Sequence, residues 1–226
     1  MITAKNITKI YGAGETACTA LNDVSLTIGD TDIIAITGQS GSGNSTLINV
    51  LSTLDTPTEG TVKYNKKDIT KLSEAKRAEF RLKNFSFVFQ DFYLISTLNV
   101  HENIILPVQY KEKSYDKELF EKIVTECGIK DKLLNYPHEL SGGEQQRVAI
   151  CRALLMKPKV IFADEPTGNL DSFNSGKVFE LLISYAKSNS CCLIYVTHEE
   201  KYALLADRRI IVSDGKCEEI TVNGNA

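Results

Sequence analysis

The sequence predicts an α/β fold with a mainly parallel sheet, an antiparallel β subdomain and a helical insert. The first sixty-odd residues are rich in short β patterns, helical patterns replace them from about residue 91 to residue 140, and strands and helices then alternate. Alternation of this kind builds a parallel sheet whose crossovers are right-handed. We therefore expect one domain over residues 1–226, with a helical subdomain at about 91–157.

The elements of the amino-terminal part follow from period-2 patterns and from one helical pattern. Leu47, Val50, Leu51 and Leu54 recur at helical spacing and predict a helix. A glycine-rich stretch separates this helix from the strand before it. The predicted strands here are residues 2–11, 18–28, 31–37 and, after a turn at 57–60, residues 61–64.

The later elements are a strand at 85–89, the helical insert, and an alternating series. The insert contains a helical pattern at 117–127, and Pro107 and Pro137 are expected to interrupt its helices because proline lacks a backbone N–H. The series after it is predicted as helix 141–156, strand 159–163, helix 173–187, strand 191–197, helix 199–206 and strand 208–213.

Composition restricts the class of protein. The 226 residues are 42% hydrophobic and 24% charged, with a net charge of −3. This is an ordinary globular balance without the strong basic field that nucleic acid would favour, so we expect no nucleic-acid partner.

Residues 1–6 lack the pattern of a cleavable signal, and no apolar run approaches the roughly 20 residues that span a bilayer. The six cysteines lack metal-ligand spacing, so we expect reduced thiols and a cytoplasmic location.

A glycine-rich loop at residues 38–46 lies between the 31–37 strand and the next helix. Its glycines let the backbone curl so that successive N–H groups surround an anion, and the helix adds its positive end. A flexible surface turn is the alternative, which the position between strand and helix disfavours. The residues predicted to bind phosphate are Gly38, Ser40, Gly41, Ser42, Gly43, Asn44, Ser45 and Thr46, and the Ser45 hydroxyl is also placed to bind Mg²⁺.

Asn44 departs from the phosphate-loop pattern, which has lysine after the last glycine. Asparagine donates a hydrogen bond, but it is shorter than lysine and uncharged. A hydrogen bond to a charged group contributes roughly 1.5–3 kcal/mol, and removing a group that stabilises transition-state charge costs about 10²–10³ in rate. We therefore expect weakened nucleotide binding and strongly reduced hydrolysis.

The stretch LSGGEQQR at residues 140–147 has two interpretations, which can both hold. In the first, Ser141 and Glu144 form a capping box at a helix start. That interpretation leaves residues 145–147 unexplained, and two consecutive glycines in a first turn cost helix stability. In the second, the glycines expose a helix N-terminus so that a phosphate can approach closely.

A buried strand followed by two carboxylates is predicted at residues 159–166. Open α/β sheets carry their chemistry at the carboxyl ends of their strands. Asp164 is predicted to hold Mg²⁺ through water, and Glu165 is predicted to polarise an attacking water. Simple capping of the strand by two carboxylates is the structural alternative.

Three segments together resemble the ATP-binding subunits of ABC transporters. LSGGE at 140–144 is similar to their signature motif, FADEP at 162–166 to their Walker B segment, and TGNLDS at 167–172 to their D-loop. The order and spacing match over roughly residues 1–220. The resemblance implies a P-loop (RecA-like) core, ATP and Mg²⁺ as ligands, and ATP hydrolysis as the activity.

The resemblance also assigns roles to single residues. Gln90 matches the Q-loop, which senses Mg²⁺ and the membrane partner, and His198 matches the switch histidine near the γ-phosphate. Tyr11 matches the aromatic residue that stacks on adenine, although it equally suits the face of a strand.

The family further implies a head-to-tail homodimer with two ATP molecules between the subunits. In that arrangement each phosphate loop faces the partner's turn at Ser141, Gly142 and Gly143, and Asp171 crosses the interface. A separate transmembrane permease is implied as well, and it would hold this chain at the inner face of the cell membrane. Residues 89–98 are unusually apolar for a loop, and we expect them partly to join the core and partly to form a groove for a short permease helix.

The motifs at 136–140 and 162–172 are similar to one branch of the family, which contains macrolide exporters, lipoprotein-release ATPases and bacitracin-type peptide-antibiotic resistance transporters. The segments 89–92 and 102–104 are most similar to the last group, which suggests export or antimicrobial-peptide resistance. A non-hydrolysing regulatory or scaffold module is an alternative, since Asn44 is present. DNA-maintenance and translation ATPases of the superfamily usually carry coiled-coil inserts or tandem nucleotide domains, and the sequence shows neither of these, nor a basic stripe.

Overall fold

The computed structural model describes residues 1–112 and 114–221. They form two compact units, one comprising Met1–Arg81 with the chain from Cys192 onward, the other Leu82–Cys191. Within the described ranges, no helix has both the length and the apolar content that crossing a membrane requires.

Strands and helices are interleaved along the chain. The strands are β1 (Ile2–Tyr11), β2 (Cys18–Ile28), β3 (Ile33–Gly38), β4 (Glu59–Tyr64), β5 (Lys67–Asp68), β6 (Phe85–Phe89), β7 (Val160–Asp164), β8 (Cys192–Val196), β9 (Arg208–Ser213) and β10 (Lys216–Thr221). The α-helices are α1 (Asn44–Leu51), α2 (Glu74–Asn84), α3 (Val100–Lys111), α4 (Lys117–Glu126), α5 (Gly142–Leu155), α6 (Ser172–Ser188) and α7 (Glu200–Ala203).

The first unit contains one antiparallel and one mainly parallel set of strands. The antiparallel set has the order β2-β1-β4-β5. In the other, β3 pairs in parallel with both β8 and β9, and β10 lies antiparallel to β9. Ile33, Ile34 and Ile36 of β3 are almost completely buried, as expected of a parallel strand covered on both faces. The predicted combination of parallel and antiparallel strands is confirmed.

In the second unit, β6 pairs in parallel with β7 from Phe85↔Val160 to Phe89↔Asp164. Helix α5 is its centre, because it packs against α3, α4, α6 and β6. Between α4 and α5 the chain forms a short 3-10 helix that begins at Pro137. The packing of so many elements on one helix explains why α5 buries most of its length.

Most predicted elements are confirmed, and β1 and β2 have the predicted bounds. Three details are wrong. Helix α1 begins at Asn44 and ends at Leu51, so that Leu54 lies outside it and is 42% exposed. Helix α3 continues through Pro107, because the fixed φ of proline is helical and only one hydrogen bond is lost. The predicted 199–206 helix is only the four-residue α7.

Three elements were not predicted: α2, β5 and β10. Helix α2, with the sequence EAKRAEFRLKN, is rich in charged residues and contains no buried residue. Strand β5 has two residues, and β10 is largely exposed. Strand β5 depends on its pairing with β4, and β10 depends on its pairing with β9, rather than on a local hydrophobic pattern.

Phe162 anchors the β6–β7 pair, and replacing it tests that packing. Its side chain is 1% exposed, and its ring centroid lies 5.1 Å from that of Phe85 and 5.8 Å from that of Phe87. We expect Phe162→Ala to lower the free energy of unfolding by about 3–5 kcal/mol because it leaves a cavity. Phe173→Ala is the matched control, since that ring is 70% exposed. Equal urea midpoints for the two variants would contradict this account of the core.

Candidate functional site

The loop after β3 is tightly curled, as predicted for a phosphate-binding loop. Gly41 and Gly43 have φ angles of +81° and +113°, which side chains rarely allow. A Cβ on Gly43 would lie 2.4 Å from the carbonyl oxygen of Ala20, and one on Gly38 would lie 2.3 Å from that of Val212. Gly38 and Gly43 are therefore required by close backbone approach, whereas Gly41 faces open space.

Helix α1 continues directly from this loop and presents its N-terminus to it. Its N-cap is Gly43, and no side chain of the described residues caps it by a hydrogen bond. The first turn of a helix carries N–H groups without intrahelical partners and the positive end of the helix dipole. Loop and helix together therefore fit an anion such as a phosphate group.

One of two polar atoms that lie buried and unpaired among the described residues at the loop, the Ser42 hydroxyl, supports this fit. The Ser42 hydroxyl oxygen and the Oδ1 atom of Asn44 are buried without a hydrogen-bond partner among the residues that the structure describes. Asn44 is only 6% exposed, and its Nδ2 donates to the carbonyl oxygen of Gly38 at 3.2 Å. The amide of Asn44 is thus directed back at the loop itself, whereas the Ser42 hydroxyl is suited to bind a phosphate oxygen.

His198 follows the carboxyl end of β8, at the same edge of the first unit's parallel strands as this loop. Strands β3 and β8 are in parallel register at Ile36↔Val196, and the Thr197 N–H donates to the carbonyl oxygen of Ile36 at 3.1 Å. His198 is the next residue and is exposed. The predicted phosphate loop and the predicted switch histidine therefore meet at one strand edge.

Tyr11 is tied to the end of the same loop. Its hydroxyl donates to Asp55 at 2.8 Å and also hydrogen-bonds with Thr46, and its ring is 42% exposed. Partial burial, followed by the Asp55 contact, raises the pKa of the phenol. The Lys9 ammonium lies 4.7 Å from the ring centroid, so stacking on adenine, which stays a prediction, would use the other face.

In the second unit, Gln90 and Glu165 follow adjacent strand ends. Phe89 pairs with Asp164 in parallel. The residues that follow them, Gln90 and Glu165, therefore lie at the same edge. Glu165 has φ 45°, a conformation that is uncommon for a residue other than glycine and concentrates at functional sites.

Gln90 is held by the segment that follows Glu165. Its Nε2 donates to Oδ1 of Asn169 at 3.3 Å, and the Asn169 amide donates in return to the Gln90 carbonyl oxygen at 3.1 Å. A Cβ on Gly168 would lie 2.7 Å from the Gln90 amide nitrogen. The motif TGN therefore packs directly on the predicted Q-loop residue, a contact that the sequence did not reveal.

The capping-box interpretation of the LSGGE segment is confirmed, whereas close approach of a phosphate to its glycines stays a prediction. Ser141 caps α5, its N–H and hydroxyl both donating to the Glu144 carboxylate at 2.8 Å. These two hydrogen bonds lower the pKa of Glu144. Gly143 has a second reason to be glycine, because a Cβ there would lie 2.9 Å from the side chain of Asn174.

Asp171 connects the D-loop to that same helix. Its carboxylate caps α6, accepting from the backbone N–H groups of Phe173 and Asn174, and it accepts from Nδ2 of Asn174 at 2.6 Å. Oδ1 of Asn174 in turn accepts from Arg147 of α5 at 3.1 Å. Asn174 is a connecting residue that the sequence did not single out, since asparagine on a helix surface carries no distinctive pattern.

The residues of the apolar segment after Gln90, 91–98, are exposed or half-buried, and none of them belongs to the buried core. Tyr93 is 62% exposed, whereas Phe92 is half-buried. Both have positive φ angles, 49° and 45°, and Arg152 donates to both of their carbonyl oxygens at 2.6 Å. Burial lowers the pKa of the Arg152 guanidinium, but these two hydrogen bonds favour its charge.

Comparison with known proteins gives a consistent result. The sequence profile of a family described as "ABC transporter" matches residues 21–168. An uncharacterized ABC transporter ATP-binding protein of Methanocaldococcus jannaschii is 46% identical, over 97% of this chain and 99% of that protein. The lipoprotein-releasing system ATP-binding protein LolD of Wigglesworthia glossinidia brevipalpis is 40% identical, over 96% and 95%.

A longer relative and a solved structure extend the comparison. The macrolide export ATP-binding/permease protein MacB of Chlorobaculum tepidum is 42% identical over 95% of this chain, which corresponds to 33% of that protein. A dimeric ATP-binding cassette in a post-hydrolysis state with ADP and Pi superimposes with a TM-score of 0.92 at 35% identity, over 99% of this chain and all of that one. The predicted fold class is confirmed.

The Ser141–Glu144 capping box should make stability depend on pH. Because the folded state lowers the pKa of Glu144, its carboxylate stabilises the fold above the unfolded pKa of about 4.3. This contribution is lost as pH falls through the folded pKa. We expect the chain to have a higher urea midpoint than Glu144→Gln at pH 7, and this difference to shrink as the pH falls below about 4.3. A difference that stays constant over this range would exclude the charge as its cause.

Proposed function

This chain belongs to the ABC transporter family as an ATP-binding protein, and we propose that it couples Mg²⁺-ATP binding and hydrolysis to the movement of a separate membrane permease. The observation that carries the proposal is the curled loop of residues 38–43, which leads into the uncapped N-terminus of α1. In the proposed role, the backbone N–H groups of this loop and the Ser42 hydroxyl hold the phosphates, and Tyr11 stacks on the adenine.

Hydrolysis in this proposal depends on the ends of β6 and β7. Glu165 accepts a proton from water while the water oxygen bonds to the γ-phosphorus, and ADP departs with the electrons of the broken P–O bond. The φ angle of Glu165 and its register beside Gln90 support an active role. Ser45, Gln90 and Asp164 carry oxygen atoms of the kind that Mg²⁺ prefers and would hold the ion, which would supply neutralisation of phosphate charge.

Two copies of the chain complete the proposed sites. Ser141, Gly142 and Gly143 bind the nucleotide held by the partner subunit's loop, His198 contacts the γ-phosphate, and Asp171 crosses the interface. Support comes from the dimeric cassette with ADP and Pi, to which this chain is similar over nearly its whole length. Dimer closure on ATP and opening after hydrolysis would provide the movement.

The proposed permease partner binds at the exposed part of the segment after Gln90, where Tyr93 and Ile95 are exposed. This attachment would hold the chain at the inner face of the cell membrane. We also propose that the chain is a single nucleotide-binding domain, with residues 91–157 as its helical part. Relatives named for lipoprotein release and macrolide export support a proposed role in transport out of the cell or out of the membrane. The specific transport function that we propose is resistance to antimicrobial peptides.

Asn44→Lys tests the phosphate loop directly. An ammonium group at this position adds a charge-assisted hydrogen bond to phosphate, and we expect Mg²⁺-ATP turnover at high protein concentration to rise by about 10²–10³. Asn44→Met is the matched control, because it has a comparable length without the charge and should not exceed the unmodified chain. Equal turnover of all three proteins would contradict the role assigned to residue 44. An Asn44→Lys protein that dimerises with ATP but does not turn over would instead support a non-hydrolysing module.

Glu165→Gln, made in the Asn44→Lys background, separates binding from hydrolysis. We expect turnover to fall by about 10²-fold or more, because the amide cannot accept the proton of water. ATP-dependent dimerisation, followed by size-exclusion chromatography, should persist. Glu180→Gln on the exposed face of α6 is the control. Retention of turnover by Glu165→Gln would exclude Glu165 as the base.

A further inference from the structure

Gln146 is a buried polar residue inside the second unit. It lies on α5, five positions after the cap residue Ser141, and its side chain is fully buried. Its neighbours on the helix, Val148, Ala149 and Ile150, are buried apolar residues. A buried amide costs stability unless it is hydrogen-bonded, so the contacts of Gln146 indicate what the residue does.

The Gln146 amide binds two backbone segments at once. Its Nε2 donates to the carbonyl oxygen of Pro166 at 2.7 Å and to that of Phe89 at 3.3 Å. Phe89 comes immediately before Gln90, and Pro166 comes immediately after Glu165. One side chain of α5 therefore holds the backbone at both residues to which we assign hydrolytic roles.

The same two segments are also joined to each other, by the Gln90–Asn169 hydrogen bonds at 3.3 and 3.1 Å. Gln90 is consequently held through its own side chain and through the carbonyl of the residue before it. The three segments form one hydrogen-bonded junction, in which Gln146 is the member that comes from the helix of the LSGGE motif.

Gln146 does not have the features of a residue selected only for packing. Its Oε1 atom is buried and has no hydrogen-bond partner in the described part of the chain. An unpaired buried acceptor destabilises a fold, and an apolar side chain of similar volume would avoid that penalty. The two donated bonds are therefore the property that distinguishes glutamine from methionine or leucine here.

We infer that Gln146 is a positioning residue, which sets the backbone at Gln90 and Glu165 relative to the Ser141–Gly143 turn of α5. The inference rests on the proposed function, since it assigns Gln146 to the same reaction. A helix is stiff over the five residues between Ser141 and Gln146, which span roughly 7.5 Å. Movement of the α5 N-terminus when a nucleotide binds there would accordingly reach both hydrolytic residues.

The first test needs no activity and uses the chain as it is. Hydrogen–deuterium exchange is compared for the unmodified chain, Gln146→Met and Gln145→Met. Gln145 is a matched control, because within the described part of the chain its amide donates to the carbonyl oxygen of Leu140, in its own motif, at 3.2 Å. We expect Gln146→Met to exchange faster at residues 85–91 and 164–170, with α1 unchanged. No change in these segments, or a uniform increase that includes α1, would overturn the inference.

The second test measures turnover in the Asn44→Lys background. Gln146→Met should lower kcat by about 10–100-fold, because slight misplacement of catalytic groups is costly, while the KM for ATP changes less than about twofold. In Gln146→Glu the ionised carboxylate cannot donate, so its kcat relative to the parent should rise as the pH is lowered and the carboxyl regains one donor. Gln145→Glu should show no such rise.

The outcomes of the two tests separate this inference from the proposed function. An unchanged kcat in Gln146→Met, or a parallel change of kcat and KM with loss of stability, would overturn the positioning role. Absence of turnover in Asn44→Lys itself would count against the proposed function, and the exchange experiment would still decide whether Gln146 holds the two segments.

Discussion

Parallel pairing of buried strands decides which loop residues become neighbours in each unit. In the first unit the β3–β8 register brings the glycine-rich loop and His198 to one edge. In the second, the β6–β7 register does the same for Gln90 and Glu165. These residues are distant in sequence, and only the shared strand direction unites them. A shift of one residue in either register would move the side chains of one strand to the opposite face of the sheet and displace the paired loop residues from each other.

Polar side chains on the helices hold the backbone of neighbouring loops by hydrogen bonds. Gln146 and Arg152 both donate to backbone carbonyl oxygens of segments that no regular ladder satisfies. Strand ends leave such backbone groups exposed, and a buried group of this kind is costly when it is unpaired. The Q-loop, the segment after Glu165 and the LSGGE helix are thus joined through side chains, which permits precise geometry without additional strands.

The loop of residues 38–43 is tightly curled, and the residue that follows it is Asn44 rather than the lysine of the phosphate-loop motif. The loop retains the left-handed glycines and leads into an uncapped helix, although Asn44 replaces lysine. The Asn44 amide binds the carbonyl of Gly38 and so contributes to the loop's own closure. The backbone geometry of the loop therefore depends on its glycines. Its electrostatic attraction for phosphate depends separately on whether the side chain at position 44 is charged.

Local patterns in the sequence determined most strands, most helices, the glycine loop, the capping box and the family, since periodicity, glycine placement and short motifs depend on neighbouring residues. The same patterns did not reveal α2, β5 or β10, or the continuation of α3 through Pro107. Nor did they reveal the contacts of Asn169, Asn174 and Gln146. Amide side chains bind almost any backbone group within reach, and only the tertiary structure decides which group that is.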